Sequence, residues 1–166
     1  MQILPEQKEE MIEEDTLKGK YLTFQLVSEV YGVEIGFIKE IISVLPITSL
    51  PQSPAYIKGV ISLRGSIIAV IDLRARLHKK EIDYSIRTSI IILNIFETQI
   101  GFIVDEVAEV ISIKDDDIVP SPQFKLSGTN SFLKGIGKVG DQVKLILDCE
   151  KLLSEQELDD ISQTII

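Results

Sequence analysis

The sequence predicts a mainly β protein built from two copies of one small unit, arranged as packed barrels or as a sandwich. Two observations lead to this prediction. The stretches "YLTFQLVSEVYGVEI" and "TSIIILNIFETQIGFIV" each read as strand, short polar turn, strand, with β-branched and aromatic residues on both sides of the turn. These two stretches also resemble each other, as the members of an internal repeat do.

The internal repeat extends over most of the chain. A shift of 69 residues places Gly32 on Gly101. A shift of 76 residues places "YIKGVISLRGSIIAVIDLRARL" on "FLKGIGKVGDQVKLILDCEKLL". The change of offset falls in "DDDIVPSPQFKLSGTNS", a loop rich in proline, glycine and serine. We therefore predict a duplication, with copy one at about residues 21–77 and copy two at about residues 90–153.

The predicted elements follow one another in a simple order. Residues 1–19 are mostly polar and acidic, so we expect a flexible tail. Residues 20–153 form the duplicated domain, with four or five short strands and a short closing helix in each copy. Because a barrel of this size has a thin core, the copies are expected to pack together or to exchange strands. Residues 154–166 are expected to form a C-terminal helix, with Ser154 and Glu157 as a candidate capping box.

The composition is that of a soluble globular protein, with 45% hydrophobic and 26% charged residues. The net charge of −9, from 17 basic and 26 acidic residues, argues against a nucleic-acid partner, because such a partner requires a basic face. No apolar run reaches the ~18–20 residues that span a bilayer. The N-terminal segment also lacks the pattern of a secretory signal. We expect a cytoplasmic protein that does not insert into the membrane.

The sequence offers no catalytic or metal-binding constellation. His78 and Cys149 are the only histidine and cysteine, and neither belongs to a recognisable nucleophile setting or a metal-ligand pattern. Residues 135–140 spell G-x-G-x-x-G, but a strand and not a helix is expected after them, so no phosphate site is predicted. Residues 115–117 lack the ligand spacing of an EF-hand loop and are expected to form a solvated turn. We expect no enzymatic activity, no cofactor and no metal.

A charged turn interrupts the apolar stretch "GVISLRGSIIAVIDLR" at Leu63-Arg64-Gly65, where copy two has Val139-Gly140-Asp141. Both triplets can form a turn, because glycine readily adopts positive φ. Only copy one carries an arginine, so the turn does not require it, and this favours recognition over an incidental exposed charge. If residues 31–42 lie beside this turn, Glu40 can form an ion pair that orients Arg64; otherwise Glu40 only faces solvent.

Four stretches together resemble a known family: "YGVEIGFIKEI", "SPAYIKGVISLRGSIIAVIDLR", "IGFIVDEVAEVI" and "FLKGIGKVGDQVKLILDCEKLL". In order and spacing, from about Lys20 to Leu153, they are similar to CheW-type chemotaxis coupling proteins. Ser62 and Ala69 stand where the family usually has asparagine and proline, and neither departure touches Arg64. The resemblance implies two packed, five-stranded SH3-like β-barrels with a groove between them.

The resemblance also implies a non-catalytic adaptor. Its implied partners are the cytoplasmic hairpin tip of chemoreceptors and the regulatory domain of the histidine kinase CheA, within membrane-associated receptor arrays. Gly59 is expected to let the backbone of a partner approach closely. The contacts with the kinase are not predicted. The receptor-facing positions carried over onto this chain are Ile38, Glu40, Gly59 and Arg64, with Ile35 and Val107 as weaker candidates.

Other interpretations remain open at this point. A related adaptor that serves a motility or biofilm array would share these motifs, and so would an excised regulatory domain of the kinase. A nucleic-acid-binding barrel would need a basic stripe and would show salt-dependent retention on a polyanion column. The fold alone does not decide among these classes, because small β-barrels host many functions.

Overall fold

The structure, a computed structural model, describes residues 17–80, 83–120 and 132–165. The predicted mainly β class, with short helices and a C-terminal helix, is confirmed. We expect a flexible tail at residues 1–19. Of these, residues 1–16 lie outside the described part of the chain, so this expectation stays a prediction. The strands of the described residues are β1 (Lys20–Leu26), β2 (Glu29–Glu34), β3 (Ile38–Ser43), β4 (Ile57–Leu63), β5 (Ser66–Asp72), β6 (Ser89–Ile95), β7 (Thr98–Val104), β8 (Glu106–Ser112), β9 (Ile118–Pro120), β10 (Leu133–Val139) and β11 (Gln142–Leu147). The α-helices are α1 (Leu73–Arg76), α2 (Cys149–Leu152) and α3 (Glu155–Ile165), and two 3-10 turns cover Ile35–Phe37 and Asp115–Asp117.

Within these residues the strands form two sheets, one ordered β8-β1-β2-β11-β10-β9 and the other β3-β6-β7-β5-β4. The first hairpin of copy one, β1–β2, pairs with β8 and β11 of copy two. The first hairpin of copy two, β6–β7, pairs with β3 and β5 of copy one. Each sheet therefore contains strands of both copies. The arrangement repeats: β2 lies parallel to β11 as β7 lies parallel to β5. The sixth strand of the larger sheet is the short β9, and its counterpart in the smaller sheet is a single bridge between Thr48 and Val60.

The largest apolar core lies between the two sheets and draws buried side chains from both of them. In β6, Ile91 and Leu93 belong to this core, while Ile90 and Ile92 pack on the opposite face. Strands buried on both faces have continuous apolar runs instead of alternation. Each such fully buried side chain contributes about 1.5–3 kcal/mol relative to exposure. Double burial thus explains the apolar run of β5 after the Arg64 turn, where Ala69 and Ile71 belong to the central core and Ile68 and Val70 to the opposite face.

The C-terminal helix α3 begins with the predicted capping box, which is confirmed. The Oγ of Ser154 accepts a hydrogen bond from the amide of Glu157 at 3.1 Å, and Oε1 of Glu157 accepts one from the amide of Ser154 at 3.0 Å. Glu157 also accepts hydrogen bonds from the Tyr56 hydroxyl at 2.6 Å and from Nη2 of Arg76 at 3.1 Å. The start of α3 is therefore fixed to copy one by polar contacts.

The structure also places the histidine, the cysteine and the acidic triplet that the sequence singles out, and the expected solvated turn at the triplet is confirmed. Cys149 is buried in the core, where burial raises the pKa of its thiol. His78 is exposed two residues after the end of α1. Asp115–Asp117 form an exposed 3-10 turn. Among the helices of the described residues, none combines the length and the apolar character needed to cross a membrane.

Candidate functional site

A β-bulge at the start of β3 sets the directions of two residues of the predicted site. Ile38 pairs with Leu93 of β6, and Glu40 pairs with Ile92, with a register shift between the two pairs. Leu93 belongs to the core between the sheets, and Ile92 belongs to the cluster on the opposite face. Because paired residues share a face of a sheet, the bulge turns Ile38 toward the core between the sheets and Glu40 away from it.

Arg64 occupies the first position of the two-residue turn between β4 and β5. Its φ is 49°, and Gly65 follows with a φ of 83°. Two successive positive φ angles are typical of a type I′ hairpin turn. At the matching turn, copy two has Gly140 with a φ of 62°. Because this backbone conformation is unfavourable for a residue with a Cβ, the arginine is present in spite of the local preference for glycine.

Two hydrogen bonds join Arg64 to Glu40, from Nη1 to Oε1 at 2.5 Å and from Nη2 to Oε2 at 3.0 Å. This is the bidentate geometry that suits a guanidinium and a carboxylate. The side chain of Arg64 is 71% exposed and that of Glu40 is 25% exposed. The hydrogen bond from Arg64 lowers the pKa of the Glu40 carboxyl, which therefore stays ionised at neutral pH. The pair holds a planar cation in one orientation and leaves further N–H donors for a partner.

The ion pair connects opposite edges of the five-stranded sheet. β3 and β4 are its outermost strands. After β3 the chain returns to β4, where Thr48 and Val60 exchange backbone hydrogen bonds of 2.9 and 2.8 Å. The sheet is therefore curled, and its two edges approach each other. Because Glu40 lies on a strand and Arg64 in a tight turn between two strands, both side chains are mounted on hydrogen-bonded backbone.

Gly59 lies beneath this returning segment. A Cβ at position 59 would lie 2.2 Å from the carbonyl oxygen of Thr48, and the φ of Gly59 is +155°. In copy two, a Cβ at Gly135 would lie 2.5 Å from the carbonyl oxygen of Val119. The space beside Gly59, where a partner's backbone is expected to approach, is filled by Thr48 of the same chain. The structure gives this glycine a role in the fold of both copies, and its contact with a receptor stays a prediction.

Each of the three apolar candidates lies at the margin of the core between the sheets. Ile35, Ile38 and Val107 are each half-buried against that core. Ile38 begins β3, and Val107 occupies the matching position near the start of β8. The predicted residues thus form two groups, the Arg64–Glu40 ion pair and this apolar margin, joined through the bulge of β3.

A buried charged cluster at the start of α1 was not found from the sequence. Arg74, which is 1% exposed, donates hydrogen bonds from Nε and Nη2 to the two carboxylate oxygens of Asp72, both at 3.0 Å. Its Nη1 donates to Oδ1 of Asp105 at 3.1 Å, and Oδ2 of Asp105 accepts from the amide of Val27 at 2.5 Å. The cluster links the end of β5 in one sheet with the β1–β2 turn of the other. The available signal was an arginine within an apolar run, as at Arg64.

The described residues include one cleft beside α3 and no cluster of metal-ligating side chains. In that part of the chain, no three His, Cys, Asp or Glu side chains converge in a way that could hold a metal ion. A cleft of about 570 Å³ lies between residues 50–54 and α3. Two of its polar lining residues, Tyr56 and Glu157, are hydrogen-bonded to each other and fix the start of α3.

Comparisons with known proteins are consistent with this geometry. A family model described as a CheW-like domain matches residues 20–157. The chemotaxis protein CheW of Klebsiella aerogenes is 35% identical over 144 residues, which cover 87% of this chain and 87% of that protein. The chemotaxis protein CheW of Treponema pallidum is 33% identical over 141 residues, covering 82% and 83% of the two chains. The crystal structure of the scaffolding protein TtCheW from Thermoanaerobacter tengcongensis is similar with a TM-score of 0.76 and 36% identity, over 82% of this chain and 92% of that one.

Proposed function

The chain belongs to the CheW-like domain family, and on that premise we propose that it is a non-catalytic adaptor which couples chemoreceptor tips to the histidine kinase CheA. The names of its relatives as chemotaxis proteins support the pathway, and the name of TtCheW as a scaffolding protein supports the role. The observation that carries the proposal is the exposed, bidentate Arg64–Glu40 pair on a β platform.

In this proposal the receptor tip contacts both groups of the site. A helical hairpin presents an apolar ridge with polar edges. Ile35, Ile38 and Val107 provide half-buried apolar surface for the ridge. Arg64 donates hydrogen bonds to carbonyl or carboxylate oxygens at the edge of the ridge, because a guanidinium combines packing area with several donors. Glu40 acts as a positioning residue that fixes the guanidinium.

The second partner is the regulatory domain of the kinase, for which the sequence assigns no contact residues. In this proposal the adaptor binds receptor and kinase at once and is thereby recruited from the cytoplasm to membrane-associated receptor arrays. If the kinase binds outside the receptor face, loss of receptor binding leaves kinase binding intact. Measuring each partner separately therefore distinguishes a damaged receptor face from a damaged protein.

Calorimetric titration with a soluble receptor tip tests this function. We expect the wild type to bind and Arg64→Ala to lose affinity by about tenfold or more, as for an interface anchor, with an unchanged circular dichroism spectrum. The matched control is Arg87→Ala, because Arg87 is 70% exposed and is paired with Glu106 at 3.5 Å. Its affinity should equal that of the wild type.

The other outcomes are equally informative. Equal affinities of the wild type and Arg64→Ala would mean that Arg64 is only a turn residue and that the receptor face lies elsewhere. Failure of the wild type to bind either the receptor tip or the regulatory domain of the kinase would refute the adaptor function.

A further inference from the structure

The two sheets differ in what fills the face opposite the central core. In the five-stranded sheet this face is aliphatic and includes Ile61, Ile68 and Val70. In copy two the residue that matches Ile68 is Lys144. Ile68 is 2% exposed and Lys144 is 7% exposed, so both positions are buried. Because copy one fills the same position with isoleucine, the fold does not require a lysine there.

Lys144 has a neutral hydrogen-bond partner and no acidic one among the described residues. Its Nζ donates to Oε1 of Gln142 at 2.9 Å. The ion pairs of the described residues involve other cations. Burial of an ammonium group is unfavourable unless a negative charge compensates it, and an amide oxygen compensates only in part. Among the described residues, no acidic side chain therefore neutralises the ammonium group of Lys144.

The Lys144 side chain lines a pocket at the open end of the parallel β2–β11 pair. These strands pair through Leu145 with Tyr31 and Ile146 with Gly32. Leu145 and the residues that precede these pairs, 28–30 and 142–144, surround a cavity of about 420 Å³. Sites for small molecules typically have volumes of about 300–1,000 Å³. The pocket is thus large enough for a small organic or inorganic ion.

One carboxylate also lines this pocket, but it already has partners. Oε1 of Glu29 is 2.8 Å from Nζ of Lys79, and Oε2 accepts a hydrogen bond from the Tyr31 hydroxyl at 2.8 Å. The hydrogen bond from Lys79 lowers the pKa of Glu29. The hydroxyl of Ser28 and the amide N–H groups of Gln142 add neutral donors to the lining. The pocket therefore combines a cation without an acidic partner, uncharged donors, and a carboxylate that is already paired with Lys79. The remaining positive charge and the donors suit an anion.

We propose that the pocket between β2 and β11 binds a small oxyanion, a phosphate or a carboxylate, with Lys144 as its counter-charge. Lysine acts as a point charge toward such groups and does not impose the planar geometry of arginine. This site goes beyond the proposed adaptor function and does not depend on it. An anion can bind in this pocket even if the receptor face lies elsewhere.

NMR titration of the full-length ¹⁵N-labelled chain tests the site, with inorganic phosphate and succinate added separately against chloride of equal ionic strength. We expect saturable shifts of the amides of residues 28–30 and 142–145. Lys144→Met should weaken binding at least tenfold. The matched control is Lys138→Met, because Lys138 is exposed on β10 and its pairing partner, Val143, lines the pocket. That variant should bind like the wild type.

The two anions distinguish the ligand classes, since a response to phosphate alone indicates phosphates and a response to succinate alone indicates carboxylates. A response to both supports the shared oxyanion chemistry. If Lys144→Met does not fold, Lys144→Ile, which copies the residue of copy one, replaces it. The wild-type spectra alone can also overturn the site. They do so if neither anion causes a saturable shift, or if the shifts are confined to residues outside 28–30 and 142–145. Equal binding by the wild type and the Lys144 variant would overturn it as well.

Discussion

At Arg64 the backbone and the side chain have opposing requirements. A φ of 49° is a conformation that glycine adopts more readily, and the matching turn of copy two has Gly140. The bidentate contact with Glu40, however, needs a guanidinium. Five other non-glycine residues of the described chain also have positive φ, among them the exposed Glu97, so this conformation alone does not mark a binding site. What distinguishes Arg64 is the exposed guanidinium that Glu40 holds in place.

The first prediction is that Arg64→Gly separates folding from recognition. Glycine relieves the left-handed backbone conformation, so the melting temperature should equal or exceed that of the wild type. Affinity for the receptor tip should fall as far as in Arg64→Ala. Thermal unfolding and calorimetry measure the two effects. A clear drop in melting temperature would show instead that the ion pair with Glu40 stabilises the fold more than the backbone strain costs.

The second prediction concerns the ionisation of Glu40. The hydrogen bond from Arg64 lowers the pKa of the Glu40 carboxyl, so in Arg64→Ala that pKa should rise toward its ordinary value. Carboxyl-carbon NMR titration measures both values. Because the folded-state pKa is lowered, the stabilising effect of the pair is complete above the ordinary pKa and is lost as the pH falls through the lowered one. Identical titration of Glu40 in both proteins would contradict the pairing.

At the scale of single elements, β4 is constrained by the chain that returns to it. Thr48 lies against Gly59 so closely that a side chain cannot be added there without moving backbone. The copy-two pair of β9 and β10 repeats this contact at Gly135. Gly59 and Gly135 therefore allow a neighbouring backbone segment to pack closely against β4 and β10.

The third prediction follows from this contact. Gly59→Ala should destabilise the protein by about 2–4 kcal/mol, because the added methyl group meets the Thr48 carbonyl and the φ of +155° disfavours alanine. Gly36→Ala is the matched control, since a Cβ there would have no neighbour within 4 Å. Chemical denaturation measures both. If Gly59→Ala proved as stable as the control, the segment around Thr48 would have to be easily displaced.

The fourth prediction concerns the helix α1 and its copy-two counterpart α2. Asp72 caps α1 by accepting from the amide of Arg74 at 3.0 Å, and Asp148 caps α2 by accepting from that of Glu150 at 3.0 Å. Only Asp72 also binds a buried guanidinium, so Arg74→Ala leaves that buried carboxylate without its cation. We expect a loss of about 3–5 kcal/mol in the free energy of unfolding. Glu150→Ala, at an exposed position, should change it little, and similar losses in both would remove the special role of the cluster.

Local patterns predicted the elements better than the contacts between them. The hairpins, the short helices and the capping box of α3 follow from residue types within a few positions of each other. The bulge of β3 does not, because it depends on pairing with β6, about 50 residues later in the chain. From alternation alone, Ile38 and Glu40 would share a face. The ion pair itself was predictable, since a comparison of the two copies singled out Arg64 and the neighbouring segment contained Glu40.

At the scale of the whole molecule, each sheet is completed by strands of both copies. This pairing buries a common core between the sheets, with contributions from β1 and β2 of one copy and β6 and β7 of the other. The charged cluster also joins the two copies, because Arg74 belongs to copy one and Asp105 to copy two. The sequence suggested that the copies depend on each other, because one copy is too small for a sufficient core. It could not show the buried cluster, because a contact between the end of β5 and the β1–β2 turn depends on tertiary packing.

The interleaving of the sheets also bears on how one half of the chain can carry a side chain in its turn that the other half lacks. A single copy cannot complete either sheet, so a protein with one copy would have to assemble with an identical chain around a two-fold axis. Symmetry would then place the same residue in both hairpin turns, and a substitution that helped binding at one turn would strain the other as well. Fusion of the two copies removes that obligation. The two matching turns of the fused chain accordingly differ, with arginine at position 64 and glycine at position 140.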